Sequence, residues 1–342
     1  MIALKLYEKN NLKVENVEKP EPGPYEAILK VKATSICATD IKAYFYGGRT
    51  KLPIILGHEF AGDIYEVGKG LEDYLGQRVT VNPNIFCGKC EYCLMGEHVL
   101  CPNRYAIGID IDGSFSEYLK IPAQAFNVGC VQIIPPDLSY EEAALVEPLS
   151  CCFRGQNKLG VKAGDFVTII GSGPIGLMHL KIAKFFNASK VIISEVDEKR
   201  AKIAEEMNAD YVINPLKEDL ERKILELTNG RGSDVVIVAV GSPKAQQDAL
   251  RIVRRGGKIN FFAGLPSKEA VPLDTNIIHY KQLTVLGTSM STPYEFKKTL
   301  DIVSSKLIDV KPLITHKLKL IEGLKGFEMA TKLESLKVML YP

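Results

Sequence analysis

The apolar positions of the chain change their period near residue 160. Before it, Leu29, Val31 and Ala33 alternate with Lys30 and Lys32, the two-residue period of a half-buried strand. Residues 60–67 and 78–81 are further short strand candidates, and Gly and Pro punctuate the gaps, so a β-rich barrel or curled sheet is expected. From Leu159 onward, short apolar runs at 165–170, 191–195, 211–213, 235–240, 258–263 and 283–286 are predicted as strands, and most are separated by stretches of helical spacing. Six strands in this arrangement predict a doubly wound parallel sheet, and the fold class is α/β with a second, β-rich domain. A last helical pattern over 293–304, with Phe296, Leu300 and Val303 on one face, follows the sixth strand. It predicts a C-terminal segment that packs back on the first domain. Repeats, low-complexity tracts and long linkers are absent from the sequence.

Within the second region, the first strand runs directly into Gly171-Ser-Gly173-Pro-Ile-Gly176, and Leu177, Leu180, Ile182 and Ala183 then follow at helical spacing. The second strand ends on Glu195, nineteen residues after Gly176, close to the ~20 expected between a fingerprint glycine and the acid that grips an adenosine ribose. Each part has a physical role. Gly171 permits the tight turn, Gly173 lets the backbone approach a pyrophosphate, and Gly176 lets helix and strand pack closely. The helix N-terminus adds free N–H groups and partial positive charge. A glycine turn alone is an ordinary strand-to-helix loop; with strand, helix and acid in place it predicts dinucleotide binding.

Composition narrows the class. At 342 residues the chain is long enough for about two domains, each with its own core. A net charge of +2, from 43 basic and 41 acidic residues, gives no electrostatic case for nucleic acid or an anionic membrane. The first nine residues bring charges too early for a signal-peptide core, and no apolar run approaches the ~20 residues of a membrane span. A cytoplasmic protein is expected, in which eight cysteines are metal ligands or buried thiols rather than disulfides.

Cys87, Cys90 and Cys93, with Cys101 seven intervening residues later, place four thiols within fifteen positions, a pattern that packing does not explain. Four thiolates around a closed tetrahedral Zn²⁺ would stabilise a lobe with little core of its own. An iron–sulfur cluster is the rival: the Cys-x-x-Cys-x-x-Cys run followed by Cys101-Pro102 has ferredoxin features, but a ferredoxin run spaces its fourth cysteine by three residues. His98 could replace one thiol, although four cysteines leave it as a loop side chain. Other candidate ligands are scattered: Cys37 in Cys37-Ala-Thr39-Asp40, His58 and Glu59 in Gly57-His-Glu-Phe-Ala-Gly62, and Glu147 in Val146-Glu-Pro-Leu149. Taken singly, such residues are ordinary core or surface side chains, and spacing alone does not bring the four together. Cys130, Cys151, Cys152 and His179 read as packed residues.

The motifs Gly57-His-Glu-x-x-Gly62, the four-cysteine lobe, Asp112-Gly-Ser-Phe-Ser-Glu-Tyr118, Glu147-Pro148 and the glycine fingerprint appear in the order found in zinc-dependent medium-chain dehydrogenases. The chain resembles that family from end to end, most closely its sorbitol (polyol) and threonine dehydrogenase branch. The resemblance implies a GroES-like catalytic domain at 1–148, an NAD-binding Rossmann domain at 149–287, and a segment at 288–342 that returns to the catalytic domain, with zinc facing the nicotinamide in a cleft. It implies a homo-oligomer, a tetramer or dimer. Carried over by residue, Cys37, His58 and Glu59 match catalytic zinc ligands, and Glu147 matches a glutamate that holds a zinc-bound water or ligates directly. Thr39 matches the hydroxyl that takes the substrate proton. Ile175, Arg200, Ala263, Gly264, Leu265, Thr288 and Ser289 fall where relatives line the cofactor pocket.

Two departures bear on the reaction. Relatives place a histidine three residues after the Thr39 position to finish a proton relay; here the residue is Lys42, and an ordinary lysine is already protonated near neutral pH. The Arg-Tyr pair that contacts polyols in sorbitol dehydrogenases has no clear match near Met290 and Ser291. The expectation is a zinc-dependent, NAD-dependent dehydrogenase of a secondary alcohol or polyol. The alternatives are an amino-alcohol dehydrogenase acting on threonine, and a cofactor-binding protein of this fold without turnover.

Overall fold

A computed structural model of the chain describes residues 1–265, 270–332 and 334–342. It divides into two units, Met1–Ser150 with Met290–Pro342, and Cys151–Ser289. Both junctions lie two residues beyond the boundaries expected from sequence, and the helix Val146–Leu159 runs through the first without a break.

Among the described residues, the first unit is built on a seven-stranded sheet. Its long strand Ala27–Ser35 pairs antiparallel with Glu59–Val67, with Tyr118–Ile121 and, at its far end, with Lys337–Tyr341. The alternation read from sequence is visible as burial: Leu29, Val31 and Ala33 are buried, while Lys30 is exposed and Lys32 half-exposed. Leu29, Val31, Phe60, Ile64, Val79 and Leu119 share one core; Leu4, Leu6, Ile36, Phe115 and Leu340 share a second. Strand register sets up the site. Ser35 lies opposite Glu59 on one side and opposite Met339 on the other. Side chains on a strand alternate, so Lys337, two residues before Met339, shares the face of Ser35 and Glu59.

In the second unit, parallel strands form at Phe166–Ile170, Lys190–Ser194, Tyr211–Ile213, Ser233–Val238, Val253–Phe261 and Thr284–Gly287. Numbered in chain order within this sheet, they run 3-2-1-4-5-6, the doubly wound order of a Rossmann fold, with its switch point between the first and fourth. The central strands carry apolar residues on both faces because helices cover both; Val167, Ile169, Val191, Ile193 and Val235 to Val238 are buried, and the buried Thr168 and Ser233 hydroxyls satisfy each other at 2.6 Å. The fifth strand begins at Val253, earlier than the expected 258, because a register shift lets Arg254-Arg-Gly-Gly257 bulge out of the ladder. His179 lies inside the helix Pro174–Phe185 with Nδ1 3.1 Å from Gln156 Nε2, and burial pulls its pKa down to about 3, so the ring packs as a neutral group. Among the described residues, no helix is long and apolar enough to cross a membrane.

Candidate active site

The helix Ala38–Tyr46 begins on Cys37, whose thiol takes the N-cap place normally held by Ser or Asp. Its Sγ accepts from the N–H of Thr39 at 3.5 Å, and the carboxylate of Asp40 reaches back to accept from Cys37 N–H at 2.9 Å. This capping box fixes the sulfur at a helix start. Gly57, at φ +97°, turns the chain just ahead of His58 against Ser114 and Phe115, where a Cβ would have no room. Two of the motifs are therefore packed on each other. The turn delivers His58 and Glu59 beside Cys37, and one ligand atom from each of the three lies within 4.8 Å of the others.

Asp40 also faces the histidine: its Oδ1 stands 3.3 Å from His58 Nδ1, an ion-pair approach without the alignment of a full hydrogen bond. Burial opposes charging the His58 ring, but the Asp40 carboxylate and the Cys37 sulfur outweigh it and hold its pKa well above the usual value. A carboxylate behind a ligating histidine is the usual outer support of a metal site. Glu59 is fully buried. Its Oε2 accepts from Ser35 Oγ, and Lys337 Nζ sits 2.6 Å from Oε1 and 2.5 Å from Oε2. Burial alone would discharge Lys337; Glu59, with Cys37 and Glu147 adding to it, keeps the ammonium and raises its pKa. A thiol, an imidazole and a carboxylate within one ion's reach suit a zinc with an open fourth position. Glu147 is buried at the start of Val146–Leu159, near enough to act on Lys337, but its carboxylate is outside the 4.8 Å group. Thr39 and Lys42 are both exposed on the same short helix.

The four cysteines of the lobe meet around a short helix, Glu91–Leu94, and a turn at His98–Leu100. Their sulfurs lie within 4.8 Å of one another, with Cys90–Cys93 at 3.5 Å and Cys87–Cys93 at 4.0 Å. These separations are far beyond a disulfide and bracket the ~3.8 Å edge of a tetrahedron whose centre is ~2.3 Å from each sulfur, the Zn–S distance. The N–H of Lys89 stabilises the Cys87 thiolate and pulls its pKa down to about 6, whereas burial pushes Cys93 up to about 12. One divalent ion at the centre would let all four ionise. His98 packs at a tilt against Phe86 and is not part of the group. Cys130, Cys151 and Cys152 are buried elsewhere.

In the second unit, Gly171 has φ +99°, and a Cβ on Gly176 would stand 1.9 Å from Gly171 O, so turn and helix are held in contact. Gly173 precedes the helix Pro174–Phe185, which carries no side-chain cap among the described residues. A Cβ there would meet only Arg200 Nη1, at 3.7 Å. The turn thus offers backbone N–H groups and an arginine to an anion. Glu195 lies at the end of the second strand; Ala263, Gly264 and Leu265 follow the fifth strand, and Thr288 and Ser289 the sixth. All stand at the carboxyl ends of parallel strands, the binding edge of such sheets. Thr288 Oγ1 accepts from Asn260 Nδ2 at 2.8 Å. Ser291 is buried, its hydroxyl 2.7 Å from Ser150 Oγ and its carbonyl accepting from Asn82 at 3.0 Å.

Asp40, Ser35 and Lys337 were not singled out from sequence. Asp40 carried a signal, an acid three residues after a cap position; Lys337 carried none, since its partner is 278 residues away.

The chain matches the family model of the alcohol dehydrogenase GroES-like domain over residues 23–133 and that of zinc-binding dehydrogenases over 174–305. Sorbitol dehydrogenase of Bacillus subtilis is 36% identical over 351 residues, covering 100% of this chain and 97% of its own. L-threonine 3-dehydrogenase of Pyrococcus furiosus is 38% identical over 323 residues, covering 93% and 90%. A solved structure of a zinc-binding dehydrogenase from Sinorhizobium meliloti bound to NADP superposes with a TM-score of 0.93 at 33% identity, over 100% of this chain and 99% of that one.

Proposed function

Since the chain belongs to the zinc-dependent alcohol dehydrogenase family, and is an oxidoreductase of that family, we propose that it transfers hydride between the CH–OH group of a secondary alcohol or polyol and NAD. The observation that carries this is the group of Cys37, His58 and Glu59, three unlike donors within 4.8 Å. Zinc bound there supplies a Lewis acid that lowers the pKa of a substrate hydroxyl or polarises a carbonyl. Cys37, His58 and Glu59 hold the ion, and Asp40 orients His58. The exposed Thr39 hydroxyl would accept the proton of the alcohol and hand it outward, and a bound nicotinamide would supply the hydride acceptor. Glu147 supports the site from outside the donor group. Cys87, Cys90, Cys93 and Cys101 would hold a second zinc, which would stabilise the fold and do no chemistry.

Gly171, Gly173, Ile175 and Gly176 cradle the cofactor pyrophosphate with Arg200 beside it, and Glu195 accepts from the adenosine ribose. A carboxylate there would repel the 2′-phosphate of NADP, which favours NAD. Ala263 to Leu265, Thr288 and Ser289 line the rest of the dinucleotide path. A cytoplasmic homo-oligomer, tetramer or dimer, belongs to the same reading. The test is NAD reduction followed by absorbance with a polyol and secondary-alcohol panel beside L-threonine. Turnover on the panel and none on threonine is expected; turnover on threonine alone would replace the polyol with an amino alcohol.

A further inference from the structure

We infer that Ser172 is a specificity-determining residue whose hydroxyl competes with the adenosine ribose for Glu195 and so blunts the preference for NAD over NADP. This rests on the reading of Glu195 as the ribose acceptor. Glu195 is 7% exposed and already accepts four hydrogen bonds. Its Oε1 accepts from the N–H groups of Val196 at 2.8 Å and Asp197 at 3.0 Å; its Oε2 accepts from Ser172 N–H at 2.7 Å and from Ser172 Oγ at 2.9 Å. A carboxylate presents about four lone-pair positions, and here each has a donor.

A ribose hydroxyl must therefore displace one of them. Three are backbone N–H groups fixed by the glycine turn and by the chain after the second strand. The fourth is a hydroxyl on one rotatable bond, and it is the one that yields. Ser172 is 0% exposed, so its displaced hydroxyl finds no water in exchange. Leaving a buried polar group without its partner costs free energy that NAD binding must supply. NADP makes less use of the carboxylate, because its 2′ oxygen carries phosphate instead of a donor hydroxyl, so the same competition costs it less. A small residue of this kind inside a glycine turn tunes the selectivity of an acid that follows a different strand.

The experiment is a fluorescence titration of NADH and NADPH with the zinc-loaded full chain and with Ser172→Ala, Glu195→Ala and the double variant. Ser172→Ala should tighten NADH by about tenfold, the worth of one freed hydrogen-bond position, and leave NADPH nearly unchanged. In the Glu195→Ala background the same change should have no effect on NADH. Ser172→Gly removes the same hydroxyl, should reproduce the shift, and decides the matter if the alanine variant folds poorly. Should Glu195→Ala weaken NADH while Ser172→Ala and Ser172→Gly leave it unchanged, the competition is absent although Glu195 still binds ribose. Should removal of the hydroxyl weaken NADH and NADPH alike, Ser172 serves the pyrophosphate and the inference is overturned. If Glu195→Ala leaves NADH binding intact, the ribose reading falls and this inference falls with it.

Discussion

The four-cysteine lobe and the Cys37–His58–Glu59 group both gather donors within 4.8 Å, but the chain builds them in opposite ways. The lobe draws four like donors from one short stretch, and its thiolates repel one another until a cation joins them. The other group draws three unlike donors from a helix cap and a strand start, and its carboxylate already faces a cation of the protein's own, Lys337. One site is completed by its metal. The other stands without it, preorganised by an ion pair and a histidine–aspartate contact, and accepts a metal as a working part.

The sharpest way to break this contrast is to remove one donor from each. Cys93→Ser should cost several kcal/mol, lowering the melting temperature by about 10 °C or more, because metal binding at a closed site is folding free energy. Cys37→Ser should abolish turnover and leave the melting temperature almost unchanged. Metal analysis should find two zinc ions per chain; one zinc, or iron with visible absorbance, would remove the basis of the comparison.

The next test is Lys337→Met. Removing one partner of a fully buried pair leaves Glu59 uncompensated, a loss of about 3–5 kcal/mol in protein loaded only at the lobe. Zinc should then bind the Cys37 group more tightly, since no ammonium competes for the carboxylate. Stability and zinc affinity thus move in opposite directions, and chelator competition together with thermal melting reads both. If they fall together, Lys337 is a structural prop and the two metal sites are alike in needing their metal for stability.

The same contrast explains what the sequence made legible. The lobe is local, so spacing alone exposed it. The glycine turn with Glu195 was legible because a strand, a helix start and an acid fall within thirty-one residues, 165 to 195. Cys37, His58 and Glu59 needed family resemblance, because the pairing of Ala27–Ser35 with Glu59–Val67 that unites them is a long-range event. Lys337 escaped both routes: in Lys337-Val-Met-Leu-Tyr341 it looks like a solvated strand end, and only the register against Ser35 turns it inward. The satisfaction of Glu195 by Ser172 was hidden for a similar reason, since the motif indicates where a carboxylate stands but not which of its lone pairs are taken.

The smallest expected effect concerns proton exit, where the open site should differ most from the closed one. Thr39 is tied to the metal group through its N–H, 3.5 Å from Cys37 Sγ, while its side chain is exposed. A hydroxyl can accept one proton as it donates another, so Thr39→Ala should lower turnover by ~10²-fold, the low end of a general acid–base contribution. Lys42 lies three residues on, a neighbour on the helix surface, and is exposed. Water at an exposed helix start can take the proton directly from the Thr39 hydroxyl. Lys42→Ala should therefore leave the pH dependence of turnover nearly unchanged, and the double variant should behave as Thr39→Ala alone. A loss on Lys42→Ala as deep as that on Thr39→Ala would mean that the lysine surrenders its proton in the working enzyme and carries the relay itself.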